Sequence, residues 1–419
     1  MIRIKNLPFS DGRIEDLQLP SDETLEIDGS HLLALPALID PHVHFRVPGG
    51  EAKEDWMTGA SAAIRGGVTQ VLDMPNTNPP STTLERFLEK KLLINSQLET
   101  IGIPLRYGLY FGADKEHLEE IGKAAHEMIA IKVFMGCSTG GLVIDDDQTL
   151  DAVFQRAKAH NLLVAVHAED EMILRENKKK YPFETDPAIH SKIRSRLAAI
   201  TATKKAIALS AKYQTPLYVL HMSTKEEIAL VREAKKCGVP VFAECCSHHL
   251  FLNEEAYAVW GTLVQMNPPL RTKEDQEALF EGIYDGTIDT IGTDHAPHLL
   301  SEKRRPYGEA PSGIPGIETL LPLLLNAVSQ KKLTIEKLIS LTRTNIEKIF
   351  GLPQNNDLVI VDLQLEKEVQ NKELKTKCGW SPFAGQRLLG WPIFTILKGK
   401  VYFAAGSESS KKKLGKDDK

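Results

Sequence analysis

The feature that most narrows the fold is an alternation that begins at residue 38. Short apolar runs rich in Val and Ile are each followed by a longer segment of helical composition. The runs read as strands over residues 33–40, 68–74, 105–112, 129–134, 162–167, 217–221, 239–245 and 287–293. Helices are expected over 54–65, 84–97, 115–125, 150–160, 193–213, 225–236 and 274–284, and then over 317–329 and 335–349. Strands that are apolar throughout are buried on both faces, which marks a parallel sheet. Eight βα units are the number that closes a (β/α)8 TIM barrel, so the expected fold class is α/β with that barrel at its centre. The competing arrangement is a doubly wound open sheet. Against it, the chain carries no Gly-x-Gly-x-x-Gly after a strand and no Walker loop.

The two ends read differently. Residues 1–37 look like a few short strands, and 356–404 contain "DLVIVDL" and "FTILKGKVYFA". Neither end can bury a core alone. The expected organisation is a barrel over 38–355, a small β-sandwich built jointly from 1–37 and 356–404, and a disordered tail over 405–419, "SESSKKKLGKDDK" being nearly devoid of apolar residues. A chain of 419 residues has room for a barrel and such an appendage.

Composition bounds the function. A net charge of −5 gives no electrostatic case for binding nucleic acid or an anionic membrane. No apolar run approaches the roughly 20 residues that span a bilayer. The N-terminal "MIRIKNLPFS" lacks the apolar stretch of a secretion signal, and five cysteines without paired spacing argue for a reducing compartment. A cytoplasmic protein is the expectation.

Chemistry collects at the strand ends. In "LIDPHVHFRVPGG", His42 and His44 sit one residue apart, so both face one side of the first strand. Strand four carries Lys132, strand five ends at His167, strand six at His221 and strand eight at Asp294. The C-terminal ends of barrel strands form the active face. Four imidazoles and a carboxylate there exceed what one catalytic zinc takes, usually three ligands and water. Two metals fit better, one on His42, His44 and Asp294 and the other on His167 and His221. An ammonium cannot bridge them. A neutral Lys132 amine that took up carbon dioxide would become an anionic carbamate, favoured by cations nearby.

These residues lie within longer matches. "IDPHVHFRVPG", "GGVTQVLDMPNTNP", "HAED", "LHMST", "MNPPLR", "TDHAPH" and "SGIPGIETLLPLLL" resemble the amidohydrolase superfamily and, within it, the dihydroorotases. "CSHHLFL" and "PFAGQRLLGWPIFTILKGKVYF" fit the same family, and the likeness runs from about residue 30 to 404. The resemblance implies a metal-dependent (β/α)8 barrel with a β-sandwich from both ends. It implies two zinc ions on His42, His44, carboxylated Lys132, His167, His221 and Asp294. It gives Arg46, Asn76 and His298 to the substrate carboxylate, with Asn267, Pro315 and Gly316 as further ring contacts. The implied reaction is the reversible cyclisation of N-carbamoyl-L-aspartate to L-dihydroorotate in pyrimidine synthesis. The metals activate a bridging hydroxide, and Asp294 acts as general acid and base. A homodimer is expected because closed symmetric dimers are common, and association with aspartate transcarbamoylase is the partner that the resemblance implies.

Three departures from the family pattern stand out. Val47 replaces a frequent acid, Ala37 replaces a frequent glycine, and "VIDDDQTL" offers Asp145, Asp146 or Asp147 as rivals to Lys132. The rival reading of those acids is a helix cap. Glu169 is read either as a residue orienting a ligand or as a loop charge. His248 and His249 are ligand-like by type only. His295 is expected to be structural, Cys245 and Cys246 to be buried, and His31, His117, His126, His160 and His190 to lie at the surface or rim. Two competing functions remain: a sister hydrolase of uncharged cyclic amides, and a metal-free scaffolding homologue that would be expected to have lost ligands.

Overall fold

A computed structural model describes residues 1–21, 24–136 and 142–404. Eight parallel strands form one sheet in chain order: Leu38–Val43, Val68–Asp73, Arg106–Gly112, Ala130–Phe134, Val164–His167, Leu217–Val219, Val241–Cys246 and Thr290–Gly292. The sheet curls into a nearly closed barrel. A parallel bridge between Val43 and His295 joins the last strand's exit to the first strand. His44 N donates to His295 O at 2.8 Å beside it.

Alternation along the strands explains both the burial and the site. In the fourth strand Ile131 and Val133 join the large core under the helices, while Ala130 belongs to a smaller cluster with Tyr110, Tyr218 and Phe350. Lys132, two residues on from Ala130, shares its side of the pleat. Phe350 meets Tyr110 and Tyr218 edge-on at 6.0 and 5.1 Å between ring centroids. The helices start where the sequence supplies caps. Asp55, Thr83, Asp146 and Asp170 each accept from a backbone N–H in the first turn, and Thr224 with Glu227 forms a reciprocal pair.

Two boundaries differ from the sequence reading. The run over 33–40 is two strands. Leu32–Pro36 pairs antiparallel with Leu358–Glu368, and the barrel begins at Leu38 beyond a break at Ala37. Pro36 removes one backbone donor at the change of sheet. An additional helix, Glu171–Lys180, follows the fifth strand. It is so polar that its composition looks like a loop.

The ends build two sheets, one mixed and one antiparallel. One holds Ile14–Leu19, Ile2–Pro8 and Leu25–Asp28; the other holds Lys400–Ala404, Arg387–Leu397, Leu358–Glu368 and Leu32–Pro36. Ile4, Leu7, Leu32, Ala34, Ile360, Phe394 and Ile396 share one core between them. Residues 369–386 leave this sheet and lie on the barrel. Lys375 N and Thr376 N donate to Glu318, Thr376 Oγ1 donates to Glu54, and the Trp380 indole N–H donates to His298 O at 2.8 Å. The expected tail at 405–419 lies outside the described residues, as does Cys137. Among the described residues no helix is long and apolar enough to cross a membrane.

Trp380 is among the largest fully enclosed side chains. Trp380→Ala is expected to destabilise the protein by about 3–5 kcal/mol in denaturant titration. A loss under about 1 kcal/mol would show that the 369–386 segment is not anchored by this residue.

Candidate metal centre

The first strand delivers His42 and His44, and the turn after the eighth delivers Asp294. His42 Nε2 lies 3.2 Å and His44 Nε2 3.0 Å from the same Asp294 Oδ1. The three buried side chains each present one ligand atom within 4.8 Å of the others. On the far side His167 Nδ1 lies 2.9 Å from His221 Nε2. The rings of His42 and His221 stand 5.4 Å apart, centroid to centroid, which links the two pairs.

The outer nitrogens decide what the inner ones offer. His42 Nδ1 donates to Glu244 Oε1 at 2.9 Å, His44 Nδ1 to Asn76 Oδ1 at 2.8 Å, and His167 Nε2 to Glu169 Oε2 at 2.9 Å. Glu244 and Glu169 only accept, so the outer nitrogens of His42 and His167 carry protons, while the inner nitrogens face Asp294 and His221, where a bound divalent cation would displace any proton they hold. Second partners of this kind orient and tune metal-binding imidazoles. Glu244 is itself pinned by His221 N at 3.1 Å and the Tyr218 hydroxyl at 3.0 Å. Glu169 is held by the Arg194 guanidinium.

The electrostatics match. Burial works against a charged His42, but the Asp294 and Glu244 carboxylates outweigh it and raise its pKa. Burial lowers His44 to about 4, with Asp294 pulling the other way. Burial and the neighbouring His167 and His42 hold His221 well below the usual histidine range. Burial opposes ionisation of Asp294, yet the surrounding imidazoles hold its carboxyl far below its ordinary value. Lys132, buried with Nζ 4.4 Å from the Phe134 ring centroid, is lowered by burial to about 7. A neutral amine there is accessible near pH 7. Inward-facing ring nitrogens, an ionised carboxylate and a deprotonatable lysine are a donor set that fits divalent cations.

The anion side sits next to it. Arg46 is buried, with Nε donating to Pro297 O at 3.2 Å and a terminal nitrogen 3.2 Å from His298 Nε2. Lys53 Nζ approaches the other His298 nitrogen at 3.0 Å. Burial lowers Arg46 to about 10, so it stays cationic at neutral pH. Arg46, His221 and Asp294 all have positive φ, at 65°, 37° and 46°. Non-glycine residues in that region cost of order 1–3 kcal/mol each, a strain that clusters at functional sites.

The other sequence candidates separate cleanly. Glu169 lies against a ring nitrogen of His167 and is paired with Arg194, the arrangement expected of a residue that orients that ring rather than of a loop charge. Asp146 caps the helix Asp147–Ala159, and Lys115 holds Asp145, so these acids are structural. His295 lies between Glu54 and the backbone N–H of Gly316, which places that N–H on His295. Pro315 precedes it. His248 and His249 are buried against each other, 4.3 Å between centroids, and Cys245 and Cys246 are buried thiols. Asn267 Oδ1 meets His190 Nε2 at 2.9 Å. His190, expected at the surface or rim, is buried, with the turn after residue 264 folded over it. His31, His126 and His160 are exposed and His117 partly so. Sequence reasoning missed Glu244, a lone acid inside the apolar run "VFAECC" and the same kind of interruption that singled out Lys132. A second buried group, His42, Glu244 and Cys246, has ligand atoms within the same reach, but its Glu244 oxygens already accept the three bonds described above.

Comparison with known proteins adds the following. The amidohydrolase family's sequence pattern matches residues 33–401. A dihydroorotase of Methanosarcina acetivorans is 36% identical over 408 residues, covering 93% of this chain and 86% of that protein. A stretch of the multifunctional protein CAD of Squalus acanthias is 37% identical over 377 residues, 90% of this chain and 15% of that protein. Among solved structures, an L-hydantoinase (dihydropyrimidinase) from Arthrobacter aurescens superposes with a TM-score of 0.87 at 27% identity, covering 96% of this chain and 95% of that one.

The lysine gives a pH prediction for metal-free protein with bicarbonate excluded. Its folded pKa of about 7 lies below the ordinary 10.5, so between those values the unfolded chain binds more protons. Stability should therefore rise with pH across that window, by up to about 1.4 kcal/mol per unit. Urea titrations at several pH values check this. Lys132→Met should lose the rise, and parallel profiles for the two proteins would contradict it.

Proposed function

Because the chain belongs to the amidohydrolase family and, within it, to the dihydroorotases, we propose that its metal centre interconverts N-carbamoyl-L-aspartate and L-dihydroorotate, with the ring carboxylate held by Arg46. The observation that carries the substrate assignment is the buried guanidinium of Arg46 beside His298, two residues beyond a metal-ligand candidate. A buried cation with further donors around it calls for an anion, and a planar fork suits a carboxylate.

In this reading His42, His44 and Asp294 would hold one zinc ion, His167 and His221 would hold a second, and Lys132, carboxylated, would supply an anionic oxygen ligand to them. Bound ions would supply Lewis acidity at the amide carbonyl and bring water's pKa toward neutrality. The chain's own residues do the rest. Arg46, Asn76 and His298 fix the carboxylate end, and Asn267 contacts the ring with a backbone carbonyl of the Pro315–Gly316 pair, the Gly316 N–H being taken by His295. Asn76 serves twice, its oxygen on His44 and its amide hydrogens toward the substrate. Asp294 takes the proton of the attacking water as the carbon–oxygen bond forms. It returns that proton to the ring nitrogen as the carbon–nitrogen bond breaks. In cyclisation the same steps run backward.

The domain division at residues 38 and 356 belongs to this proposal, supported by the two sheets that the chain ends share. So do a cytoplasmic location, supported by free Cys237, Cys245, Cys246 and Cys378, and a homodimer, the commonest closed assembly. Docking to aspartate transcarbamoylase is proposed on the strength of the shark relative, in which a stretch like this chain is one part of a multifunctional protein.

Activity on L-dihydroorotate, with hydantoin, dihydrouracil and allantoin in parallel, tests the reading. The zinc-loaded protein should open dihydroorotate selectively. Arg46→Ala should lower kcat/KM on it by at least about thirtyfold, the loss of a charged hydrogen bond worth about 2 kcal/mol. Opening of the uncharged rings alone would place the protein with the hydantoinases it superposes on. No activity and no bound metal would favour a scaffolding role.

A further inference from the structure

An asparagine can offer a substrate either its carbonyl or its amino group, and Asn267 has that choice made for it. His190 Nε2 lies 3.0 Å from Met266 O and 2.9 Å from Asn267 Oδ1, and His190 Nδ1 lies 3.1 Å from the Tyr307 hydroxyl. A backbone carbonyl only accepts, so Nε2 must carry the proton. Nδ1 is then a lone pair and receives the Tyr307 O–H. An N–H at Nε2 repels an amino group and attracts an oxygen. The Asn267 carbonyl therefore turns to His190, and its NH2 group turns away from the ring.

The ring is held firmly enough to enforce this. His190 opens the short helix His190–Ile193, and Ser191 Oγ donates to Leu270 O at 2.9 Å. Arg271 donates to Arg194 O at 2.7 Å. Two segments, 190–194 and 266–271, are thus fastened to each other across the mouth. Burial and the Arg194 guanidinium push His190 down to about 3, against the pull of Met266 O, Asn267 and Glu169. The neutral tautomer persists at any working pH.

We infer that His190, backed by Tyr307, is a positioning residue that locks the Asn267 amide with its NH2 group presented as a donor to an acceptor oxygen of the substrate ring. This rests on the reading of Asn267 as a substrate contact in a dihydroorotase. His190 touches no substrate and acts only through Asn267. It confers a preference for rings that place a carbonyl or carboxylate oxygen at that point over rings that place an N–H there.

A double-mutant cycle tests it. His190→Phe keeps a planar ring and removes both nitrogens. It should raise KM for L-dihydroorotate about fivefold, the worth of one oriented hydrogen bond, with kcat and zinc content nearly unchanged. In an Asn267→Ala background the same replacement should change KM by less than about twofold. His190→Gln, which restores an N–H near the Nε2 position, should recover most of the loss. A penalty undiminished in the Asn267→Ala background, or one that falls on zinc content with KM unchanged, overturns the inference. If the protein opens only uncharged rings, the dihydroorotase reading fails and the cycle, run on those rings, still judges His190. If it opens none, 15N spectra of histidine-labelled protein decide. A ring protonated at Nε2 and unchanged from about pH 5 to about pH 8, absent in His190→Phe, supports the inference. A ring protonated at Nδ1, or one that titrates in that range, overturns it.

Discussion

Everything at the mouth of this barrel depends on how its first and last strands meet. Asp294 reaches His42 and His44 from more than 240 positions away in sequence, and only closure of the sheet brings them together. The seam is fastened by Asp40. Its buried carboxyl group takes the Thr293 N–H at 3.1 Å, the Thr293 hydroxyl and the His42 N–H at 3.2 Å. Burial nonetheless lifts Asp40 to about 7. A buried carboxyl is costly unless its lone pairs are used, and here three donors use them. The residue before Asp294 and the backbone of His42 are thereby fixed with respect to one another before any metal arrives.

From that seam the rest follows by orientation. Glu244, Asn76 and Glu169 each take the outer hydrogen of an imidazole, and three ring nitrogens face inward as a result. An ionised carboxylate buried among imidazoles is unfavourable without a cation or proton to match it. The raised pKa of His42 shows the site drawing positive charge toward Asp294. Left-handed backbone at Arg46, His221 and Asp294 adds strain that the packed barrel must hold in place. The strand ends are rigid because the apolar runs beneath them are buried on both faces.

Much of this was legible in the sequence, for a physical reason. A parallel strand must be apolar on both faces, so a polar residue at its end or within it stands out. His42, His44, Lys132, His167, His221 and Asp294 all stood out in that way. Burial of both faces also made the eight strands readable as units. What the sequence concealed depended on partners distant along the chain. Glu244 lay inside an expected strand with nothing nearby to show that His42 and Tyr218 would meet it. His190 sits in the polar run "AIHSKIRS" and is buried because the 265–271 segment and Tyr307 close over it. The split of the first run at Pro36 needed knowledge of the strand from the other end of the chain, Leu358–Glu368, that captures it. The helix Glu171–Lys180 buries only Glu171, Leu174 and Asn177, too few apolar positions to read as a periodic face.

The proposed two-metal centre, with Lys132 carboxylated, is tested by anomalous X-ray diffraction at the zinc edge from crystals grown with zinc and bicarbonate. Two zinc peaks per chain are expected, one against His42, His44 and Asp294 and one against His167 and His221, with a carbamate on Lys132 between them. A single peak, or an unmodified Lys132 ammonium lying apart from the metals, would contradict it.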